Sequence, residues 1–277
     1  MSDPRIDKNL EIYCAPDVAA HYATLNYLSP CERLLFEMYI PEGSAILDLG
    51  VGGGRTTPFL SSRASHYVGL DYSSSMVERC HTKYPDLQFR VGDAADLSTF
   101  PDSQFDAVVF AYNGIDFVLP ASSRQRCLKH VFRVLKPGGV LIFSSHNARA
   151  ILVRPSWNLE RLQKIADGLV PNSNVQRGVL LAGLVFIRRV LALGYAGKSS
   201  FVRMIQRLPT RTFWSGDGYR MDPAHGGLYT HYSVPRRVVS DVRAMNLRSV
   251  RILGDDYPKA SHPLATDWYY YVFEKTP

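Results

Sequence analysis

The chain has 277 residues, 46% of them apolar, and a formal charge of +7. That length suits one large α/β domain, or one domain with a sizeable insertion, and the apolar share lets a full core form without staples. Four scattered cysteines (Cys14, Cys31, Cys80, Cys127), with no Cys-x-x-Cys or Cys/His cluster, exclude a disulfide framework and a zinc site and point to a reducing setting. The opening Met-Ser-Asp-Pro-Arg lacks the basic-then-apolar order of a signal peptide, so a cytoplasmic protein is expected. Charge is unevenly spread. Residues 147–230 hold twelve Lys/Arg against four Asp/Glu, and the rest of the chain is close to neutral. Such a stretch draws phosphates, acidic substrates, nucleic acid or an anionic membrane surface, or is simply a solvated face.

Residues 9–40 read as helical. Asp17, after Pro16, is the expected N-cap of one helix. Ser29, Pro30 and Glu32 have the form of a capping box that opens a second, with Leu34, Leu35, Met38 and Tyr39 at helical spacing. Pro41 and Gly43 end it. Ile46, Leu47 and Leu49 then form a buried strand running into Gly50-Val-Gly52-Gly53-Gly54 and Arg55. Glycines there permit positive φ and close backbone approach, and the following helix offers free N–H groups to a ligand. This is a nucleotide-type turn.

The pattern continues with a helix at 56–63, a strand at 66–70 ending in Asp71, and a helix at 73–81. A strand at 87–91 leads to Gly92-Asp93-Ala94, and another follows at 105–110. An amphipathic helix at 122–135 stops at Lys136-Pro137-Gly138-Gly139, before a strand at 140–144. Strands alternating with helices at this spacing predict an α/β fold with a doubly wound, mostly parallel sheet. Residues 147–230 lose that rhythm. Helical segments are expected near 156–168, 177–193 and 199–207, with no clear strand, as a basic insertion or lid. The run 179–193 is the most apolar in the chain, but Arg188 and Arg189 interrupt it and it is too short to span a bilayer. Burial in the lid or peripheral membrane contact is expected of it. A helix at 235–245 and strands at 248–253 and 268–274 close the chain.

A dinucleotide fingerprint would place its third glycine where Arg55 stands, and Asp48 would repel a pyrophosphate. The carboxylate of Asp71, twenty-one positions past Gly50, is placed to accept both ribose hydroxyls of a nucleoside over the turn. Over residues 20–146, and more loosely 232–274, the sequence resembles the class I S-adenosylmethionine-dependent methyltransferases. Asp48-Leu-Gly-Val-Gly-Gly-Gly54 resembles their first motif, and Val68-Gly-Leu-Asp71-Tyr-Ser-Ser-Ser-Met76 the second. Val91-Gly-Asp93-Ala94 resembles the third, with Phe105-Asp106-Ala107-Val108-Val109 and Val134-Leu135-Lys136-Pro137-Gly138-Gly139 as the fourth and fifth.

The resemblance implies S-adenosylmethionine as cofactor and a seventh, antiparallel strand slotted between strands five and six. It implies a helical cap over 1–44, a cofactor domain over 45–146 and 231–277, and an inserted substrate lid over 147–230. Asp48, Gly50, Gly52 and Gly54 would wrap the methionine part and Asp71 the ribose. Tyr72 or Met76 would flank the adenine. Asp93 would accept its amino group, and the Ala94 N–H would meet the ring. Tyr22, chosen over Tyr13 and Tyr27, would face the sulfonium, and Tyr112 follows the fourth strand beside it.

Methyl transfer needs an aligned nucleophile, and a hydroxyl acceptor gains from a general base. His146 is the best-placed candidate, with His231, Asn113, Asp116, His225, Tyr229 and Tyr232 also at the expected strand ends. The turn Ala111-Tyr112-Asn113-Gly114 lacks the Asn/Asp-Pro-Pro-Tyr pattern of adenine or amide methylation, which disfavours nucleic acid. The acceptor expected is a small molecule, sugar or lipid-linked compound, methylated on oxygen or nitrogen, with an anionic or glycan part suited to the basic lid. No metal is expected. The alternatives left open are an RNA- or membrane-associated methyltransferase and a nicotinamide oxidoreductase, against which Asp48 and Arg55 speak.

Overall fold

The structure, a computed structural model, describes residues 4–150, 211–222, 227–259, 261–264 and 266–276. The helices expected near 156–168, 177–193 and 199–207, the apolar run 179–193 and His225 lie outside the described residues. In chain order come α1 (Pro4–Cys14), α2 (Pro16–Thr24), α3 (Pro30–Tyr39), β1 (Ser44–Leu49), α4 (Thr57–Arg63) and β2 (Ala64–Asp71). Next are α5 (Ser74–Lys83), β3 (Gln88–Val91), β4 (Phe105–Phe110), a 3-10 turn (Gly114–Phe117), α6 (Ala121–Val134) and β5 (Leu135–His146). After the undescribed stretch follow α7 (Arg211–Ser215), β6 (Asp217–Asp222), β7 (Leu228–Ser233), α8 (Pro235–Arg243), β8 (Leu247–Gly254) and β9 (Trp268–Lys275).

Seven strands form one sheet in the order β3-β2-β1-β4-β5-β9-β8. β1 to β5 run parallel, and β9 lies antiparallel between β5 and β8, as the resemblance implies. Each face buries its own apolar set. Leu47, Val68, Val108, Phe143 and Phe273 pack toward Cys127, Leu128 and Val131 of α6 and Val238 and Val242 of α8. Ile46, Val109, Ile142 and Val272 pack toward Leu35 and Phe36 of α3, Leu60 of α4 and Cys80 of α5. Each such fully buried side chain contributes roughly 1.5–3 kcal/mol. At the amino end of the sheet the Lys136 ammonium sits 2.8 and 2.9 Å from the Asp106 carboxylate, which also accepts the Ala45 N–H at 2.8 Å. That one acid ties β1, β4 and β5 together, and it explains why a Phe-Asp strand and a Lys-Pro-Gly-Gly turn occur in one chain.

Two elements differ from the sequence expectation. α2 is capped by Ala15, and Asp17 lies in its first turn. Pro16 has its φ fixed for the first helical position, so the cap moves two residues earlier and Asp17 meets the positive end of the dipole instead. The second difference is larger. β6 and β7 pair antiparallel as a hairpin where no strand is expected. β6 has no buried residue between Asp217 and Met221, so it shows no apolar alternation to read. Residues from Arg211 on form one compact unit with those up to Arg149. The hairpin and α7 therefore lie in the same compact unit as the sheet.

α3 begins as expected. Ser29 Oγ accepts the Glu32 N–H at 3.1 Å, and the Glu32 carboxylate accepts the Ser29 N–H at 2.8 Å. The same carboxylate forms a bidentate pair with Arg55, at 2.5 and 2.7 Å, and both side chains are buried. Removing one partner of such a pair strands the other charge out of water. Glu32→Ala is expected to lower the unfolding free energy by about 3–5 kcal/mol, measured by urea denaturation. A loss below ~1 kcal/mol, as for an exposed pair, would contradict it.

Candidate active site

The glycine turn after β1 holds Gly50, Gly52 and Gly54 at φ of +60°, +55° and +80°, where L side chains are strained. Space is refused as well. A Cβ on Gly53 would lie 2.4 Å from the backbone nitrogen of Ala23 in α2, and one on Gly50 would lie 2.7 Å from the Phe110 ring. Asp71, at the end of β2, fixes the turn from the side. Its Oδ2 accepts the Gly52 N–H at 2.8 Å and its Oδ1 accepts the Ser73 N–H at 2.9 Å. Burial pushes the Asp71 carboxyl up to about 6, against the lowering effect of those backbone N–H groups.

These loops enclose a cavity of about 550 Å³ at the carboxyl ends of β1, β2, β3 and β4, where the strand order reverses. Of the residues expected at the cofactor, Tyr22, Gly50, Gly52, Asp71, Tyr72, Met76, Asp93, Ala94 and Tyr112 line it. Two do not. Gly54 backs onto the Tyr84 ring. Asp48 lies beneath the turn, where its Oδ2 accepts the hydroxyls of Thr56 at 2.7 Å and Tyr67 at 2.9 Å. Burial pushes Asp48 up to about 6 despite those two donors. In that place it ties the start of α4 to β1 and β2. Asp93 accepts the Ala95 N–H at 2.8 Å and is otherwise exposed.

The cavity also takes in residues that sequence reading passes over. Ile6 and Leu10 of α1, Thr56, and Phe117, Val118 and Leu119 after β4 line it. Ile6, Leu10 and Tyr13 stand at i, i+4 and i+7, the helical signal that a start at residue 9 leaves unread. Tyr13 packs edge-on to Tyr22, Tyr72 and Phe117 with centroids 5.6–5.9 Å apart. Arg55 also reaches the wall. Its guanidinium donates to the Tyr27 carbonyl at 2.9 Å and lies 4.9 Å from the Tyr112 ring. The Tyr72 hydroxyl is buried in the wall without a hydrogen-bond partner among the described residues. A carboxylate with lone pairs to spare, glycine backbone that any Cβ would fill and an orphan hydroxyl all suit a nucleoside-bearing ligand.

His146 and His231, the expected catalytic residues, do not line this cavity. Both face Asp116, which is fully buried in the 3-10 turn. Asp116 Oδ2 accepts the His146 backbone N–H at 2.7 Å and lies 2.8 Å from its Nδ1, and Oδ1 accepts the Ser145 hydroxyl at 2.8 Å. With Nδ1 protonated toward Asp116, His146 Nε2 accepts from Asn113 Nδ2 at 3.2 Å. His231 spans two acids, Nδ1 3.5 Å from Asp116 and Nε2 2.8 Å from Asp217. Phe117 stands edge-on to the His146 ring and itself lines the cavity. The adjoining Tyr112 and Asn113 are both left-handed, at φ of +54° and +61°, a strain of roughly 1–2 kcal/mol each. Asn113 N–H donates to Ser144 Oγ at 2.8 Å and so anchors them.

Comparison with known proteins agrees with the geometry. A methyltransferase domain model matches residues 46–139. An uncharacterized methyltransferase of Synechocystis, sll0829, is 33% identical over 187 residues, which cover 64% of this chain and 82% of that protein. The putative methyltransferase YqeM of Bacillus subtilis is 33% identical over 115 residues, 40% of this chain and 46% of YqeM. The chain spans about half the length of curated relatives matched in this way. The solved CcbJ methyltransferase of Streptomyces caelestis shares the fold at a TM-score of 0.58 and 15% identity, covering 94% of this chain and 96% of that one. The fold and the cavity define a Rossmann-like nucleoside-binding domain. The chain belongs to the class I S-adenosylmethionine-dependent methyltransferases, and its cofactor is S-adenosylmethionine. Among the described residues no helix is long and apolar enough to cross a membrane.

Burial disfavours the charged form of His231, but Asp116 and Asp217 more than offset it and raise its pKa above 6.5. The stability this adds is complete below pH 6.5 and is lost as the pH rises through the raised value. Asp116 is opposite in sense. Burial acts to raise it, yet the two histidines hold it down to about 2, so its contribution is lost only as acid approaches that value. Wild type should therefore lose unfolding free energy between about pH 6 and a pH above the raised His231 value, and His231→Gln should lose distinctly less. Urea titrations of both proteins at the two pH values check this.

Proposed function

We propose that this methyltransferase moves the methyl group to an oxygen or nitrogen of a small acceptor with an apolar body. The observation that carries it is the division of the cavity wall. Polar groups cluster on the glycine turn with Arg55 and Thr56, on Asp71 and Asp93, and on Ser123 and Arg126, whereas Ile6, Leu10, Phe117, Val118 and Leu119 form an apolar stretch of the wall. S-adenosylmethionine supplies a methyl group on a sulfonium, an electrophile already activated when it binds.

In this reading Asp71 accepts the ribose hydroxyls through the lone pairs its two backbone bonds leave open. The backbone of Gly50, Gly52 and Gly53 borders the methionine part, with Gly54 and Asp48 acting from behind. Tyr72 and Met76 flank the adenine, Asp93 accepts its amino group, and the Ala94 N–H meets the ring. Tyr22, with Tyr13 packed on it, offers a ring face to the sulfonium. Tyr112, held over Arg55, borders the acceptor. His146 and His231 act as positioning residues, through Asp116, on the turn that carries Phe117. The chemistry left to the chain is alignment and exclusion of water, and an amine acceptor bound neutral needs no further base.

The basic stretch 147–230 is proposed to meet an anionic, glycan or lipid-linked part of the acceptor, and a cytoplasmic location fits the cysteine usage. Transfer of labelled methyl to fractionated cell extract, followed by mass spectrometry of the product, tests the reading. A product that is nucleic acid overturns it.

The Asp71 assignment has its own test. Ribose hydroxyls donate to the charged carboxylate, and Asp71 titrates at about 6, so binding should favour the deprotonated form. Affinity for S-adenosylhomocysteine is expected to weaken as the pH falls below about 6. Asp71→Asn should bind at least ~100-fold more weakly, as for a lost charge-assisted pair of bonds, and without that pH dependence. Calorimetry at several pH values measures both.

A further inference from the structure

Helix α1 works on two faces. Ile6, Leu10 and Tyr13 line the cofactor cavity, and Arg5, Lys8 and Asn9 meet the β6–β7 hairpin. Asn9 is only 1% exposed, a place a polar side chain keeps only when its atoms are matched. The match comes from 220 residues away. Asn9 Nδ2 donates to the Tyr229 carbonyl at 2.8 Å, and Asn9 Oδ1 accepts the Tyr229 N–H at 2.9 Å. A side-chain amide thus takes the place of a neighbouring strand's peptide on the open edge of β7. Cations flank the clip, with the Lys8 ammonium 5.7 Å from the Tyr229 ring and the Arg5 guanidinium 5.2 Å from the Tyr219 ring.

The hairpin is itself anchored to the sheet. His231 of β7 sits between Asp217 of β6 and Asp116 after β4, and the Ala148 N–H, just past β5, donates to the Ser233 carbonyl of β7. α1, by contrast, has 11 residues, too few to hold a helix in water without tertiary contacts. Its cavity-facing side chains are therefore only as fixed as its attachments, and Asn9 is the buried polar one on the hairpin side.

We infer that Asn9 is a positioning residue for the cofactor, clipping α1 to the hairpin so that Ile6, Leu10 and Tyr13 stay in place as a wall of the cavity. The inference rests on the assignment of that cavity to S-adenosylmethionine. Loss of the amide leaves the Tyr229 N–H and C=O without their partner and loosens the first turns of α1, whose far end stays held by Ser73 and Ser75 through the Tyr13 and Cys14 carbonyls. The clip thus sets how long the product nucleoside stays bound, without touching it.

Stopped-flow displacement of S-adenosylhomocysteine from wild type, Asn9→Ala and Asn9→Asp tests this, with Asp71→Asn as the control for the site itself. Asn9→Asp keeps the shape but turns an acceptor toward the Tyr229 carbonyl. Both Asn9 variants should release the ligand about tenfold faster or more, since Asn9→Ala loses both hydrogen bonds and Asn9→Asp loses one and sets two acceptors against each other, under conditions where circular dichroism shows them folded. Hydrogen exchange on the wild type gives an arm that needs no variant. Saturation with S-adenosylhomocysteine should slow the amides of residues 4–14 and of Tyr229 together. An unchanged release rate in folded variants overturns the inference, as does protection confined to residues 71–76. Failure of the wild type to bind S-adenosylhomocysteine would take down the cofactor assignment, and the role of the clip with it.

Discussion

One buried carboxylate holds the site in shape. Asp71 closes two backbone N–H groups, from Gly52 in one loop and Ser73 in the next, onto a single side chain at the carboxyl edge of the sheet. The glycine turn cannot stand alone there, because three of its residues occupy left-handed backbone that costs conformational entropy to fix. An acid at the end of β2 supplies the fixing, and its remaining lone pairs face the cavity. The cost is visible in its raised pKa: the folded chain keeps an acid in a place where burial favours the neutral form.

The same logic recurs around the turn. Asp48 supports it from beneath through Thr56 and Tyr67, and Glu32 supports it from the N-terminal helices through Arg55. Glu32 is used twice, as the reciprocal partner of the Ser29 cap and as the counter-ion of Arg55, so the start of α3 and the end of the glycine turn are set by one carboxylate. Buried acids with complete hydrogen-bonding partners rigidify a loop better than apolar packing alone, since any displacement leaves a charge unmatched. This suits a reaction in which alignment carries most of the rate.

The second cluster gathers Asp116, His146 and His231 beside the cavity rather than on its wall. Histidines at the carboxyl ends of strands read naturally as bases, because those ends border the ligand in a doubly wound sheet. Here both rings turn to a common buried carboxylate, and His146 completes a chain to the strained Asn113. The cluster organises the turn that carries Phe117 to the cavity. A sequence shows that His146 ends a strand; the direction its ring nitrogens take depends on Asp116, thirty positions earlier.

Local signals were enough for the sheet. The alternation of strand and helix, the capping box at Ser29, the glycine turn and the acid after β2 each act within a few residues, and each appears in the fold where its spacing puts it. Nine of the residues expected at the cofactor line one cavity for the same reason: short loops at the carboxyl edge cannot place their residues far from it. What spacing could not decide were the elements held by partners distant in the chain. The β6–β7 hairpin lacks an apolar stripe and exists through pairing and through cations laid on its tyrosines. Asn9 has no local pattern at all, and its partner is 220 residues away. Asp48 resembles a ligand contact in its motif and lies beneath the turn, bonded to Thr56 and Tyr67, because only the packed structure shows which side of a turn a buried acid lies on. The sequence by itself determined the fold, the cofactor class and the edge of the sheet that binds it, since those follow from periodicity and backbone conformation. Tertiary structure alone decided which polar groups line the cavity and which lie behind its wall, since that is set by contacts closed across the described fold.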